Sequence, residues 1–445
     1  MTIGRQNWWV PLGALLAAAW VLVHLDTPLV EDSLFWWIPK GIKAGEAGFP
    51  LSPAGDLPAV MGAASARLPQ WSGGLPDYGH PPLWYWWIGL WTQAGATLTH
   101  IRLATLLPAM AAGAGFVALG RRLGSVAAGF AVFATPPFLA QLVRPELDLA
   151  LLAIVPWALL ALLNRAWSRF AVLSTLAVWC KEPGVLLVVP ALVMAFEERR
   201  WRISALAPLL ALGLWAGLHG WMATPERLPT DLFGLGRDLL TVLFIVFVAQ
   251  GRFLLFAGIP GLRRERVLVS FVVIWLLFFS VVGFFANRGT ADLYTHVRYL
   301  VPGMAVAVVL LARSTPMLAA TGLLWIHTAS PFGPEASMFG TDQAVVERDA
   351  APWIADKISQ GRTVWVGTHQ AARLLTPFAG VVERPILGIR IYSMSTDPSA
   401  LSAGDIVLET TYGEPAGQLL TDTPKAAMQG WVVHDASVTA WKVAP

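Results

Sequence analysis

The stretch Asp26-Thr-Pro-Leu-Val-Glu31-Asp32-Ser-Leu-Phe-Trp36 decides how the rest of the sequence is interpreted. Its two adjacent carboxylates follow a hydrophobic run, from about residue 8 to residue 25, that is about long enough to cross a bilayer. The apolar and aromatic residues after them are expected to lie along a membrane surface. Partial desolvation at such a surface raises the pKa of a carboxylate towards that of a useful base. The alternative is that Asp32 or Ser33 only caps an interfacial helix.

The composition is that of a polytopic membrane protein. Hydrophobic residues make up 56% of the 445 residues, and charged residues make up 13%. The net charge of +3 is small, and the cations fall in loops between apolar runs. We therefore interpret them as determinants of membrane topology and expect no nucleic-acid partner. A single cysteine, Cys180, excludes an internal disulfide and a cysteine-rich metal site. No convincing signal-peptide cleavage site precedes the acidic pair, so a retained anchor is expected.

The placement of basic residues predicts about eleven crossings, with the N-terminus in the cytoplasm. Span three is predicted over residues 127–142, span eight over 239–260 and span eleven over 317–328. Two segments allow more than one interpretation. Residues 78–91 are predicted as a surface helix, because a span there would place Arg121-Arg122 outside. Residues 170–196 are predicted as two short helices that turn at Lys181-Glu182-Pro183, because a single crossing would export the basic cluster at 197–202.

Two domains are predicted. Residues 1–329 form the transmembrane part, and an outer loop at 26–100 holds the acidic pair and interfacial helices. Between residues 330 and 445 charges become frequent, and helical and strand patterns alternate. The predicted fold class is therefore mainly α: a polytopic helical bundle followed by a small extracytoplasmic α/β domain.

Charged side chains from five separate parts of the sequence fall on the predicted outer face of the membrane. They are Glu31 and Asp32; His80; Arg144, Glu146 and Asp148; Lys181 and Glu182; and His296 and Arg298, with Tyr299 beside them. Taken singly, each fits a helix cap, a snorkelling side chain or a simple ion pair. Charges at the ends of membrane spans are costly unless they are paired or functional, so five groups on one face indicate a site.

The chemistry that fits this set is transfer of a group from a phosphate leaving group at a membrane surface. An acid would activate the acceptor hydroxyl as a general base. Lysine and arginine would neutralise the departing phosphate. Extra carboxylates could hold a hard divalent cation. The sequence contains no glycine-rich phosphate loop, so a soluble nucleotide donor is not expected.

Five motifs occur in a fixed order along the membrane part, up to about residue 313. They are Glu31-Asp32-Ser-Leu-Phe-Trp36, Gly79-His80-Pro-Pro-Leu-Trp-Tyr-Trp86, Arg144-Pro-Glu-Leu-Asp148, Leu176-Ala-Val-Trp-Cys-Lys181-Glu-Pro-Gly184 and Arg298-Tyr-Leu-Val-Pro302. Together they resemble motifs of the GT-C superfamily of integral-membrane glycosyltransferases. The resemblance is to the bacterial relatives of protein O-mannosyltransferases and of the lipid A aminoarabinose transferase.

The resemblance implies transfer of a hexosyl or pentosyl group, with inversion, from a polyprenyl-phosphate carrier. The acceptor would be a hydroxyl of a glycan, lipid or protein on the extracytoplasmic face of the bacterial inner membrane. The implied partners are thus a lipid-linked sugar, an acceptor and membrane lipids. The implied cofactor, if the enzyme uses one, is a divalent metal cation.

The same resemblance assigns roles to individual residues. Asp32, with Glu31 beside it, would be the base, and Asp148 would be its partner acid or a shared metal ligand. Carrier phosphate would be held by Lys181, Arg298 and Tyr299, and the acceptor pocket would include His80, Arg144, Glu146 and His296. Two departures from the family pattern stand out. The acidic pair is Glu-Asp where Asp-Glu is common, which leaves the identity of the base open. Glu182 replaces a common glycine and could pair with Lys181.

Two other classes of function remain open at this point. Transporters and flippases often contain broken helices and inverted repeats near the membrane midplane. Only the Lys181 turn looks broken here, and the charges cluster on one face, which favours the enzyme. A third interpretation is an inactive relative whose C-terminal domain binds a partner.

Overall fold

Helices dominate the protein in a computed structural model. The structure describes residues 8–29, 33–52, 54–58, 61, 68, 74–200, 202–219, 239–240, 242–243, 265–281, 297–313, 339–393, 396–411, 420, 423–433 and 436–444. The α-helices in these residues are α1 Trp9–Val23, α2 Ile38–Glu46, α3 Leu83–Thr92, α4 Leu98–Arg122, α5 Val126–Phe130, α6 Pro136–Val143, α7 Leu147–Leu163, α8 Trp167–Cys180, α9 Val188–Glu197, α10 Ala207–His219, α11 Arg266–Val281, α12 Val301–Ala312, α13 Phe339–Ser359 and α14 Thr368–Leu375.

Among the described residues, α4 is long and apolar enough to cross a membrane. A second crossing is counted if the bent pair 126–134 and 137–143 is one span. The count of about eleven spans therefore stays a prediction. The stretches predicted as spans eight and eleven, 239–260 and 317–328, lie largely or wholly outside the described residues.

Prolines explain where the helical path breaks. The span predicted over 127–142 is not a single straight helix, because its two halves meet at an angle of 77°. Thr135 lies at the break in an extended conformation, as expected for a residue that precedes the pair Pro136-Pro137. The break predicted at Lys181-Glu182-Pro183 is confirmed: α8 ends at Cys180, and a 3₁₀ turn over Glu182–Leu187 leads into α9.

The chain forms two compact units. Unit 1 comprises Met1–Val23, Gly79–Trp84 and Ala104–Met338, and unit 2 comprises His24–Tyr78, Tyr85–Leu103 and Phe339–Pro445. In unit 1 the apolar helices α7 and α12 are buried along most of their length, so they form the centre of its helical core. The predicted domain boundary at 329/330 lies outside the described residues and stays a prediction.

Unit 2 contains a five-stranded mixed sheet in the order β2-β1-β3-β5-β4. Its strands are β1 Val364–Gly367, β2 Arg390–Tyr392, β3 Ile406–Thr410, β4 Lys425–Val433 and β5 Ala436–Val443. β1 lies parallel to β2 and β3, and β5 lies antiparallel to β3 and β4. The predicted α/β character is confirmed. Sequence reasoning missed β2, because three residues are too few to show an alternating pattern.

Candidate active site

The segment from Arg144 to Asp148 lies at a helix junction in unit 1. Pro145 disfavours helical geometry at Arg144, which is extended and ends α6. Glu146 is also extended and lies at the N-cap position of α7, and Asp148 lies in its first turn, where the helix dipole favours a negative charge. Both carboxylate side chains are buried, and so is Arg144. The junction therefore places two acids in the interior of the protein.

Lys181 supplies a buried cation to this junction. Its backbone is extended at the end of α8, immediately before the proline-containing turn. The ammonium Nζ lies 2.6 Å from Asp148 Oδ1, and the two side chains are 5% and 4% exposed. Burying two charges costs several kcal/mol per ion, which a close ion pair offsets in part. The pair is therefore a costly feature for a membrane-type bundle to keep without a function.

Arg298 and Tyr299 complete the cluster from the turn that precedes α12. Arg298 Nη1 donates to Glu146 Oε1 at 3.2 Å, and Arg298 Nε lies 3.9 Å from Asp148 Oδ2. Arg298 Nη2 donates to the Tyr299 hydroxyl at 2.9 Å. The Tyr299 ring faces both cations, with its centroid 4.3 Å from Lys181 Nζ and 4.8 Å from Arg298 Cζ. The Tyr299 ring thus makes cation–π contacts with both cationic groups.

The Tyr299 position is itself held by aromatic side chains of α11. Trp275 Nε1 donates to the Tyr299 carbonyl oxygen at 2.8 Å, and the Phe279 ring stacks on the Tyr299 ring at 5.8 Å. Both side chains lie on one face of α11, one turn apart. Sequence reasoning did not single out these two residues; the available signal was their spacing of four in an apolar helix.

His80 forms a second ion pair in unit 1. Its Nδ1 lies 2.8 Å from Glu182 Oε2, and both side chains are 30% exposed. Burial raises the pKa of the Glu182 carboxyl, whereas the charge and the hydrogen bond of His80 lower it. The lowering effects are larger together, so the pKa of Glu182 lies below its usual value. The possibility raised from the sequence, that Glu182 pairs with Lys181, is replaced by a different arrangement. Glu182 forms its ion pair with His80, and Lys181 forms its own with Asp148.

Four of the five predicted motifs thus meet within unit 1. The buried cluster consists of the cations Lys181 and Arg298 and the carboxylates Glu146 and Asp148, and Arg144 is a buried cation of the same helix junction. Lys181 and Arg298 balance the charges of Glu146 and Asp148, and Tyr299 adds a hydroxyl. An anion that binds to this set can replace a carboxylate as the partner of Lys181 or Arg298. Gln141, which sequence reasoning missed, lies beside the cluster with Nε2 3.5 Å from Glu146 Oε2.

Glu31, Asp32 and His296 lie outside the described residues, so their roles stay predictions. In the part of the chain that the structure describes, no group of three or more His, Cys, Asp or Glu side chains could hold a metal ion. Asp148, one predicted ligand, faces Lys181 and Arg298 instead. A cationic surrounding does not favour a divalent metal at that carboxylate. The metal remains a prediction, and no step below uses it.

No protein-family model matches the chain, and no curated protein matches it in sequence. Solved structures do match. The crystal structure of ArnT from Cupriavidus metallidurans bound to undecaprenyl phosphate is 14% identical, with a TM-score of 0.53 over 98% of each chain. The apo state of that protein is 13% identical, with a TM-score of 0.52 over 98% of each chain. The chain shares the fold of this ArnT protein. The fold resemblance predicted from the five motifs is thereby confirmed, and the shared fold is consistent with the helical bundle and its C-terminal mixed sheet.

Proposed function

We propose that this protein is a GT-C glycosyltransferase that takes its sugar from a polyprenyl-phosphate carrier. The observation that supports this most is the buried cluster of Lys181, Arg298 and Tyr299 with Asp148 and Glu146. The chain also shares its fold with ArnT, a protein that has been crystallised with bound undecaprenyl phosphate. Under the same proposal, the protein binds a carrier phosphate and lies in a membrane. The proposal leaves open whether a hexosyl or a pentosyl group is moved.

Lys181 and Arg298 are proposed to bind the carrier phosphate. Each now donates to a carboxylate, so a phosphate would exchange one anionic partner for another. The Tyr299 hydroxyl would donate to a phosphate oxygen, and its ring keeps both cations at a fixed separation. As the bond from sugar to phosphate breaks, the phosphate gains charge. These cations then stabilise the leaving group more strongly than the bound substrate, which is what acceleration requires.

Asp32, or Glu31 beside it, is proposed as the general base. The acceptor hydroxyl oxygen forms a bond to the anomeric carbon while its proton passes to the carboxylate. The bond between the anomeric carbon and the phosphate oxygen breaks, and the polyprenyl phosphate leaves with the electron pair. A single displacement of this kind inverts the anomeric centre. His80, with Arg144, Glu146 and His296, is proposed to shape the acceptor pocket.

The proposed location is the bacterial inner membrane, with the N-terminus cytoplasmic and the C-terminal domain extracytoplasmic. The support is the distribution of basic residues between apolar runs, which favours the cytoplasmic side for most clusters. A phosphatase reporter fused after the C-terminus should be active, and one fused after Arg313 should be inactive. The reverse pattern would contradict the proposed orientation.

The function is tested by mass spectrometry of cell-envelope glycans, glycolipids and glycoproteins in strains with and without the gene. One sugar modification should disappear on deletion and return with the wild-type gene. Asp32→Asn should fail to restore it, whereas Asp26→Asn, a matched change at an exposed acid of the same loop, should restore it. Comparison with Glu31→Gln identifies which carboxylate is the base.

An unchanged set of envelope glycans after deletion would contradict the proposal, as would full restoration by a double variant that lacks both carboxylates. Uptake of a lipid-linked or small polar substrate by reconstituted vesicles, with no sugar product, would favour the alternative of a transporter or flippase.

A further inference from the structure

The chain on either side of the acidic pair is anchored inside unit 2. On the N-terminal side, the Leu29 amide donates to the carbonyl oxygen of Ala379 at 2.9 Å. The Arg102 guanidinium, which is buried, donates to the carbonyl oxygens of Thr27 and Pro28. Leu29 itself is fully buried. The backbone of residues 27–29 is thus held by hydrogen bonds to two different parts of the unit, the Ala379 carbonyl and the Arg102 side chain.

Gly380 allows this anchoring because it has no side chain. Its φ of +81° lies in the left-handed region, directly after the turn Pro377–Ala379. A Cβ atom at this position would lie 3.2 Å from Pro28 Cα and 2.5 Å from a methyl carbon of Leu98. Any side chain would therefore push against the backbone that precedes the acidic pair.

A second anchor lies on the C-terminal side of the pair. The Phe35 ring packs edge-on against the His369 ring at 5.2 Å, in the first turn of α14. Ser33 and Leu34 are also fully buried. Glu31 and Asp32 lie in the sequence between Leu29 and Phe35. Both anchors come from one stretch of the C-terminal module, residues 369–380.

We propose that residues 369–380 of the C-terminal α/β module position the acidic pair, with His369 and Gly380 as positioning residues. The inference rests on the proposed function, since it assigns the module a part in the same transfer reaction. The module then fixes the chain at Leu29 and Phe35, on either side of the acidic pair. A small displacement of a catalytic group reduces turnover far more than it reduces substrate binding.

The test compares Gly380→Ala with Gly361→Ala in the full-length, solubilised protein. Gly361 is also left-handed, with a φ of +74°, and has nothing within 4 Å of a Cβ position. Both variants impose the same backbone strain on the C-terminal module, but only Gly380→Ala pushes on Pro28. Amide hydrogen exchange is measured over residues 27–37, and kcat and KM for the carrier are measured in parallel.

Gly380→Ala should speed exchange at Leu29 and lower kcat on the order of 10- to 100-fold, with KM for the carrier unchanged. Gly361→Ala should match the wild type in all three. His369→Ala should lower kcat in the same way, and His369→Phe, which keeps the ring contact with Phe35, should restore it.

Equal exchange in the two glycine variants would overturn the inference, and so would faster exchange with an unchanged kcat. The proposed function fails in a different way, namely if the wild type transfers no sugar. In that case the contrast in exchange between the two glycine variants still decides whether residues 369–380 anchor the segment.

Discussion

Lys181 and Asp148 lie 33 residues apart in the sequence and meet as a nearly inaccessible ion pair. Removing one partner of a buried pair leaves an uncompensated charge, and such losses typically cost about 3–5 kcal/mol. Replacing both partners with neutral residues of similar volume is far less damaging. This difference allows stability and phosphate binding to be separated by experiment.

Lys181→Met should lower the free energy of unfolding by about 3–5 kcal/mol, because Asp148 loses its closest cation. Lys181→Met with Asp148→Asn should recover most of that stability. Neither variant should bind polyprenyl phosphate with wild-type affinity, because both lack the cation proposed to hold it. Denaturant unfolding and a carrier-binding assay check the two parts. Wild-type affinity in the double variant would remove Lys181 from the proposed phosphate site.

Lys40 gives a pH-dependent prediction at the same scale. Burial lowers the pKa of its ammonium group from 10.5 to about 8, and the charge of Asp77 opposes the shift. Its Nζ donates to the carbonyl oxygens of Asp77 and Tyr78 at 2.7 Å and 3.0 Å. Between pH 8 and 10.5 the unfolded chain binds more protons at this group than the folded chain. Stability should therefore rise with pH across that window.

Lys40→Met should remove this rise, and Lys43→Met on the same helix should keep it. Thermal unfolding of both variants from pH 7 to pH 10.5 is the measurement. A rise that persists undiminished in Lys40→Met would show that another group causes it.

Sequence reasoning grouped residues that the structure brings together within unit 1, but it could not assign their partners. His80, Arg144, Lys181 and Arg298 could be grouped because motif order and charge placement are readable along a chain. His80 and Glu182 are 102 residues apart in the sequence. Their pairing depends on how the two side chains point in the folded protein, and no local sequence pattern contains that information. The same holds for Arg298 and Glu146, which are separated by 152 residues.

At the scale of the helices, prolines decide where a helix breaks and glycines decide how closely two helices pack, and apolar periodicity indicates neither. The break at Lys181-Glu182-Pro183 could be predicted because a proline there agreed with the charge placement. The 77° bend within 126–143 was missed, although Pro136-Pro137 was a local signal, because hydrophobicity continues without interruption through it. Unbroken apolar character indicates burial or a membrane but does not indicate a straight axis.

Close packing of α1 on α4 depends on two glycines. A Cβ on Gly13 would lie 2.8 Å from the Gly113 carbonyl oxygen, and a Cβ on Gly113 would meet the Gly13 carbonyl oxygen. Small residues of this kind let helix backbones approach one another in membrane proteins.

Gly113→Ala should destabilise unit 1 by about 1–3 kcal/mol, because the helices must separate to admit the methyl group. Gly213→Ala on α10 is the matched control, since nothing lies within 4 Å of its Cβ position. That change should be neutral or stabilising by up to about 1 kcal/mol. Thermal unfolding in detergent compares the two variants. Equal effects would mean that the contact between α1 and α4 is not tightly packed.

At the scale of the whole molecule, the fold class could be predicted from sequence, whereas the composition of the two compact units could not be read from it. Five weak motifs in a fixed order indicated a GT-C protein, and a shared fold at 14% identity agrees with them. Compact unit 2 nevertheless combines His24–Tyr78 with Phe339–Pro445. Hydropathy places the first of these near the membrane and the second outside it, and no sequence pattern indicates that they pack together.

The most direct test of the central claim is release of free polyprenyl phosphate by the purified protein. The protein is reconstituted in vesicles with a polyprenyl-phosphate sugar fraction and an envelope extract as the source of acceptor. Mass spectrometry follows the carrier. Wild type should release polyprenyl phosphate only when the extract is present, and Lys181→Met with Asp148→Asn should release none. No release by the wild type, or equal release by that double variant, would contradict the account.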